Sequence, residues 1–328
     1  MAGSSQPPLV PLERAGTPTP EWTHPGVPRN RRVRRLSGRD RVVVLLMVII
    51  PIAMTIGLVW LPALATVLLS FTNWNGIGPI SDIQWIGFKN YQDVATIYPP
   101  FWPAVQHNLL WLAVLFLIAT PMGIFLAVLI DKGLRGSRFY QTSLFLPVVL
   151  SLALVGFIWQ LQYSQDYGFL NFALQKLHII DQPIDWYGDP SVNIWAVLVA
   201  TCWRHVGYIM LLYLAGLKGV DPSLREAAEV DGANEVQTFF RIVFPVMRPI
   251  NVIVLVITVI ESLRAFDIVW VVNKGRNGLE LISALVTQNV IGEASRVGFG
   301  SALATIMLVV SLVFIIIYLA TVLREEER

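Results

Sequence analysis

The chain has 328 residues, 55% of them hydrophobic and 14% charged, with a formal net charge of +2. Soluble domains carry about 25% charged residues, so this composition excludes an ordinary water-soluble enzyme, a disordered chain and a nucleic-acid binder. The lone Cys202 excludes an intramolecular disulfide framework and a cysteine-rich metal site, and His24, His107, His178 and His205 are too scattered for a metal cluster.

In chain order, residues 1–40 come first. Pro, Ser, Thr and Gly dominate up to residue 30, with no apolar stretch to bury, so the segment reads as a disordered tail. Arg29, Arg31, Arg32, Arg34, Arg35, Arg39 and Arg41 follow, and then an apolar run over 42–69. That run exceeds a signal-peptide core of about 7–15 residues. It predicts an uncleaved first span whose basic flank suits anionic lipid rather than nucleic acid.

Six segments reach the roughly 20 apolar residues that a spanning helix needs: 42–70, 106–130, 141–163, 192–216, 249–272 and 299–323. Pro51 and Pro62 interrupt the first, which is tolerated where neighbours satisfy the freed carbonyls. The expected organisation is a basic tail over 1–40, a first span with its outer loop over 41–105, a five-helix core over 106–323, and a short tail over 324–328. The fold class is all-α, a polytopic membrane protein with six transmembrane helices.

An even number of spans places both termini on one side. Seventeen of the 24 Lys and Arg residues then share that side; Lys89, Lys176, Lys274, Arg276 and Arg296 lie opposite, and Arg204 and Arg264 lie within spans. Positive charge collects on cytoplasmic loops, so both termini are expected in the cytoplasm. The opposite loops carry Trp74, Trp85, Trp102 and Trp186, as an interfacial outer surface would.

The polar segment 217–248 is the longest cytoplasmic loop. Asp221 before Pro222 marks a helix start, and Ser223 with Glu226 has capping-box spacing. Leu224, Ala227 and Ala228 predict a small-residue face onto which another protein's backbone could close. Gly232 is a natural break. A second amphipathic helix follows, with Val236, Phe239, Phe240 and Val243 at helical spacing, ended by Pro245 and Pro249. By pattern alone an ordinary helical hairpin between spans reads equally well.

Charges inside spans are costly and belong on protein-facing or water-facing surfaces. Glu261, Arg264 and Asp267 recur every three residues and would form one stripe of a continuous helix; Arg204 is central in its own span. Two readings stand: lining of a translocation cavity, with Trp203 or Tyr208 stacking on a sugar ring, or a salt-bridge network joining Arg264 to Glu261 or Asp267. Two acids against two bases suit a neutral solute. His205 reads as a packed side chain.

Glu226-Ala227-Ala228, then Gly232, then Ile242-Val243-Phe244-Pro245 resembles the signature of ABC importer permeases, with Phe244 where the family has Leu. Ser70-Phe71-Thr72-Asn73-Trp74, the stretch from Trp85 to Tyr91, and Phe266-Asp267 resemble its sugar branch of maltose and glycerol-3-phosphate type. The resemblance covers nearly everything after residue 40 and implies the type I ABC importer permease fold. It also implies that Glu226, Ala227, Ala228, Asp231, Gly232, Ala233 and Pro245 couple to an ATPase, with Glu226 either capping its own helix or pairing with a basic residue there.

The implied partners are a second related permease, two ATPase copies, an external solute-binding protein or lipoprotein, and membrane lipid. No Gly-Lys dipeptide occurs, so this chain has no phosphate-binding loop of the Walker type; ATP and Mg belong to the partner ATPase, and no cofactor is expected on this chain. The expected function is that of a transport subunit in the bacterial plasma membrane, carrying a di- or oligosaccharide. Alternatives are a permease for glycerol-3-phosphate or another small solute, or a secondary sugar transporter.

Overall fold

The computed structural model describes residues 37–326 apart from Leu134, Glu293 and Ala294. The tail expected over 1–36 lies outside the described residues. Residues 38–40 depart from that expectation: they are helical. The Ser37 hydroxyl accepts from the Asp40 N–H, and the Asp40 carboxylate accepts from the Ser37 N–H. This capping box satisfies donors that an open helix start leaves unpaired.

Besides two short helices, Lys89–Thr96 and Phe169–Lys176, the α-helices in chain order are α1 (Gly38–Leu69), α2 (Phe101–Asp131), α3 (Ser137–Val149), α4 (Leu152–Gln162), α5 (Asn193–Lys218), α6 (Pro222–Val230), α7 (Glu235–Val246), α8 (Arg248–Leu263), α9 (Asp267–Asn273), α10 (Ile282–Val290) and α11 (Val297–Glu326). Four of these, α1, α2, α5 and α11, are long and apolar enough to cross a membrane unaided. The pairs α3–α4, bent by 103°, and α7 with 248–273, bent by 79°, raise the count to six if each is one span. The third segment is therefore broken within its length, whereas the 79° bend falls at Met247, just ahead of the fifth. The final helix also runs on through residues 324–326, where a tail was expected.

Prolines shape several of these helices. Wide π-turns occupy Ile56–Trp60, Leu115–Ala119 and Phe239–Val243, and each ends two residues before a proline: Pro62, Pro121 and Pro245. A proline ring collides with the carbonyl one turn back and donates no hydrogen bond. A widened turn moves that carbonyl aside and lets the helix continue. Pro245 accordingly does not end its helix; the elbow falls two residues later, at Met247.

Residues through Leu58 form one unit and those from Val59 a second. In the first unit every described side chain is exposed and most are apolar, as a lipid-facing surface requires. In the second, α5 is central and packs most extensively on α2. Gly123 permits this approach, and Gly207 permits that of α3 to α5. A Cβ on Gly123 would lie 2.7 Å from Ile209, and one on Gly207 would strike the Leu144 carbonyl.

One apolar cluster joins Trp111, Leu115, Leu198 and Ile268. A second, with Ile130, Ile209, Leu214, Val243 and Met247, sits beside the 217–248 segment. A third, with Val94, Phe101, Leu285, Phe299 and Leu303, lies at the far end. There the residues after α1 are clasped. Asn90 donates to the Ser70 and Thr72 carbonyls at 2.8 Å each, Phe71 stacks on Trp85 at 5.1 Å, and the Gly298 N–H donates to the Trp74 carbonyl. The two aromatic stretches singled out in the sequence thus bind each other.

Candidate functional site

The hairpin 217–248 is built from its caps. Asp221, not Ser223, is the N-cap of α6: its carboxylate accepts from the Ser223 N–H at 2.9 Å, with Pro222 at the first helical position. That hydrogen bond holds the Asp221 carboxyl below the usual aspartate range. The expected Ser223–Glu226 box is not formed; Glu226 is exposed and has no bonded partner among the described residues.

The far end of α6 explains the motif spacing. Gly232 has φ +77, its N–H donates to the Glu229 carbonyl, and the Ala233 N–H donates to the Ala228 carbonyl, both at 3.0 Å. This is a Schellman closure, which needs a left-handed residue at that position. Asn234 then caps α7 in a reciprocal box with Gln237.

Ion pairs fasten the hairpin to the end of α2. Arg225 donates to Asp131 at 2.8 Å, and Lys132 pairs with Glu235. Asn251 ties the elbow: it accepts from the Tyr213 hydroxyl and donates to the Phe244 carbonyl. A cavity of about 500 Å³ lies between the end of α2 and the hairpin, bordered by Val128, Arg225 and Phe239. None of Asp131, Lys132, Glu235 and Asn251 was evident in the sequence, because their partners are remote or their patterns local to no element.

The hairpin's outer surface carries bare apolar side chains among its charges. Ala227 is exposed, as are Val230 at 88%, Val236 at 65% and Phe240 at 63%, while Ala228 is buried. Ala227 and Ala228 therefore do not share one face. Asp231 and Pro245 are exposed and Ala233 half-buried.

Within the bundle, Arg204 on α5 and Glu261 on α8 face each other at 3.9 Å. The stripe expected over Glu261, Arg264 and Asp267 is broken. Helix α8 ends at Leu263, Arg264 is its C-cap, and α9 begins at Asp267. Arg264 and Asp267 are exposed, and neither pairs with the other or with Glu261 among the described residues. The freed backbone is satisfied from elsewhere: Asn108 donates to the Ser262 carbonyl and accepts from the Ile282 N–H, and the Ser283 hydroxyl donates to the Ala265 carbonyl.

His205 is buried, its Nε2 3.3 Å from the Thr258 hydroxyl. The Arg204 Nε is buried without a partner and borders a small cavity with Trp111, Glu261 and Phe266. Trp203 is exposed and packs edge-on against Trp159, while Tyr208 is half-buried. The structure thus brings Arg204 and Glu261 together at the small cavity, which Arg264, Asp267, Trp203 and Tyr208 do not border.

Helices long and apolar enough to cross a membrane, two bent pairs beside them, and a capped two-helix hairpin pinned to one end suit an integral-membrane transport subunit. Residues 119–325 match the binding-protein-dependent transport system inner membrane component family, and the chain belongs to it. It is 30% identical to a probable ABC transporter permease of Pyrococcus horikoshii, covering 87% of this chain and 97% of that one. It is 32% identical to the xylose/arabinose import permease XacH of Haloferax volcanii, covering 74% and 76%. A solved bacterial ABC transporter that imports the acidic polysaccharide alginate shares the fold, with a TM-score of 0.74 at 22% identity, covering 87% of this chain and 96% of that one.

Proposed function

We propose that the chain is the permease subunit of an ATP-driven importer of carbohydrate, working by alternating access in the plasma membrane. The termini and the 217–248 hairpin lie in the cytoplasm, in keeping with the skew of Lys and Arg along the chain. The hairpin seats in a separate ATPase that binds ATP and Mg. A second permease completes the pore, and an external binding protein delivers the solute. The observation that carries this reading is the hairpin itself, closed at Gly232 and pinned through Arg225 to α2, with Ala227, Val230, Val236 and Phe240 left bare. Apolar side chains on a rigid polar-flanked element suit a protein partner.

A lever fixed to the spans transmits force. Closure of the ATPase would move α6 and α7, and the ion pairs would carry that motion into α2, while Met247 and Asn251 carry it into α8. The Arg204–Glu261 pair, with its unpartnered Nε, offers donors and acceptors for sugar hydroxyls. The carbohydrate assignment also draws on the xylose/arabinose relative. The test is uptake of labelled sugars by vesicles holding the assembled transporter. Uptake is expected to depend on the binding protein and to stop with vanadate. Failure of the chain to co-purify with any ATPase overturns the reading.

A further inference from the structure

The end of the bundle away from the hairpin holds a cavity of about 350 Å³, bordered by Tyr98, Trp270, Lys274, Arg276, Gln288 and Arg296 among others. Its size is within the range of small-molecule sites. No aspartate or glutamate borders it among the described residues. Its three cations are among only five that the chain places on that side.

The cations are held in place. Lys274 and Arg276 stand on a tight turn with φ +58 at Lys274 and +69 at Gly275. Asn273 Oδ1 accepts from the Gly275 and Arg276 N–H groups at 3.1 and 3.2 Å, and Gln288 donates to the Lys274 carbonyl at 2.8 Å. Arg296 donates one N–H to Asn289 at 3.0 Å and lies over the Phe299 ring at 4.8 Å. None of the three has a carboxylate partner among the described residues. Like charges gathered round one cavity repel one another and favour an anion between them.

The remaining lining suits a sugar. Trp270 and Tyr98 offer flat faces with apolar bodies, and Gln288 and Asn289 offer amides. Trp270 stacks on Phe266 at 5.2 Å, and Phe266 also borders the Arg204–Glu261 cavity. An aromatic step thus joins the basic pocket to the polar pair inside the spans.

We infer that this pocket receives a saccharide bearing a carboxylate or sulfonate group, its ring against Trp270 and its anionic group among Lys274, Arg276 and Arg296. The inference rests on the carbohydrate-import reading and narrows it to acidic sugars. It departs from the neutral solute that an even balance of charges on one stripe had suggested, because that stripe does not exist as a continuous surface.

The test uses the assembled transporter in lipid nanodiscs. Equilibrium binding is measured for digalacturonate, glucuronate and a sulfonated hexose, each beside an uncharged counterpart such as the methyl ester. At least one acidic probe is expected to bind about tenfold tighter than its neutral counterpart, with the advantage shrinking as salt rises. Lys274→Gln with Arg276→Gln, both at exposed positions, should lower the acidic affinity about tenfold and so close most of the gap between acid and ester. Equal affinity for acid and ester, or no binding of any acidic probe, overturns the inference. So does a loss of binding-protein association in the double variant with saccharide affinity unchanged, which assigns the cations to protein docking. ATP-driven uptake of neutral sugars alone leaves the import reading standing while this inference falls; absence of uptake for every sugar removes the import reading itself.

Discussion

The two ends of the bundle handle charge in opposite ways. At the hairpin end, charges facing the bundle are paired, Arg225 with Asp131 and Lys132 with Glu235, and Val230, Val236 and Phe240 stand bare among exposed charges such as Glu226, Glu229 and Arg241. At the other end Phe101, Leu285 and Phe299 turn inward in the third cluster while Trp85, Phe88 and Ile291 stay exposed, and Lys274, Arg276 and Arg296 border a cavity with no carboxylate partner among the described residues. An end that pairs its inward charges and exposes Val230 and Phe240 on a fixed hairpin is built to meet a folded protein. An end that gathers cations and amides round a cavity is built to meet a small polar molecule. That contrast suits a machine driven by a protein at one face and loaded with a solute at the other.

The strongest test of the contrast is at Ala227. Its side chain is exposed, whereas Ala228, one residue on, is buried. Ala227→Trp should leave insertion and stability unchanged and lower uptake about tenfold or more, as loss of one docking contribution of about 1.4 kcal/mol predicts. ATP hydrolysis by the assembled complex should no longer follow addition of binding protein. Ala228→Leu should behave differently, overpacking the hairpin and costing about 1–3 kcal/mol of stability. Gly232→Trp is expected to resemble Ala227→Trp, with added backbone strain at φ +77. Uptake at the wild-type rate in the Ala227 and Gly232 variants, measured in proteoliposomes, would remove the docking role.

These local features were legible in the sequence because their causes are local. The Ala228-to-Gly232 spacing is a helix ending, Asp221-Pro222 is a helix beginning, and the six apolar segments follow from the thickness of a bilayer. The stripe over Glu261, Arg264 and Asp267 was misread because periodicity assumes an unbroken helix. The break after Leu263 carries no proline or glycine; Asn108 and Ser283, from other elements, supply the bonds that make it affordable. The ion pairs escaped for the same reason, since Asp131 and Arg225 are 94 residues apart.

Between the two ends, Arg204 and Glu261 can serve solute or merely join helices, and a pair of variants separates these roles. Arg204→Met alone leaves a carboxylate unpaired among the spans and should cost about 2–3 kcal/mol of stability. Adding Glu261→Leu should restore thermal stability, because an apolar pair removes the stranded charge from within the helices. Transport is expected to stay lost in the double variant. If uptake returns together with stability, the pair is a helix fastener and the solute passes elsewhere.

The two ion pairs at the hairpin differ in exposure, and so in expected effect. Asp131 is 15% exposed and Arg225 39%, against 44% for Lys132 and 78% for Glu235. Arg225→Ala should lower stability by about 1–2 kcal/mol by stranding Asp131. Lys132→Ala should change it by less than about 0.5 kcal/mol, as exposed pairs do. Thermal unfolding of the two variants in the same detergent measures the difference. Equal losses would show that the hairpin is held by its apolar seat at Val243 and Met247 rather than by the buried pair.

The smallest expected effect is at the cap of α6. The Asp221 carboxyl titrates below the ordinary aspartate value of 3.8 because its charged form accepts the Ser223 N–H. Its contribution is therefore complete above that value and fades as pH falls through the lowered one, so at neutral pH the cap is fully formed. Asp221→Asn keeps an acceptor oxygen and should leave the hairpin nearly as protected as the wild type. Asp221→Ala removes the acceptor and should raise amide exchange at the first turn of α6 alone. Because the Schellman closure at Gly232 is independent of the cap, protection at Ala228 and Ala233 should not change. If exchange spreads to those residues, α6 is a single cooperative unit governed from its start, and the surface offered to the partner protein depends on Asp221 as much as on Gly232.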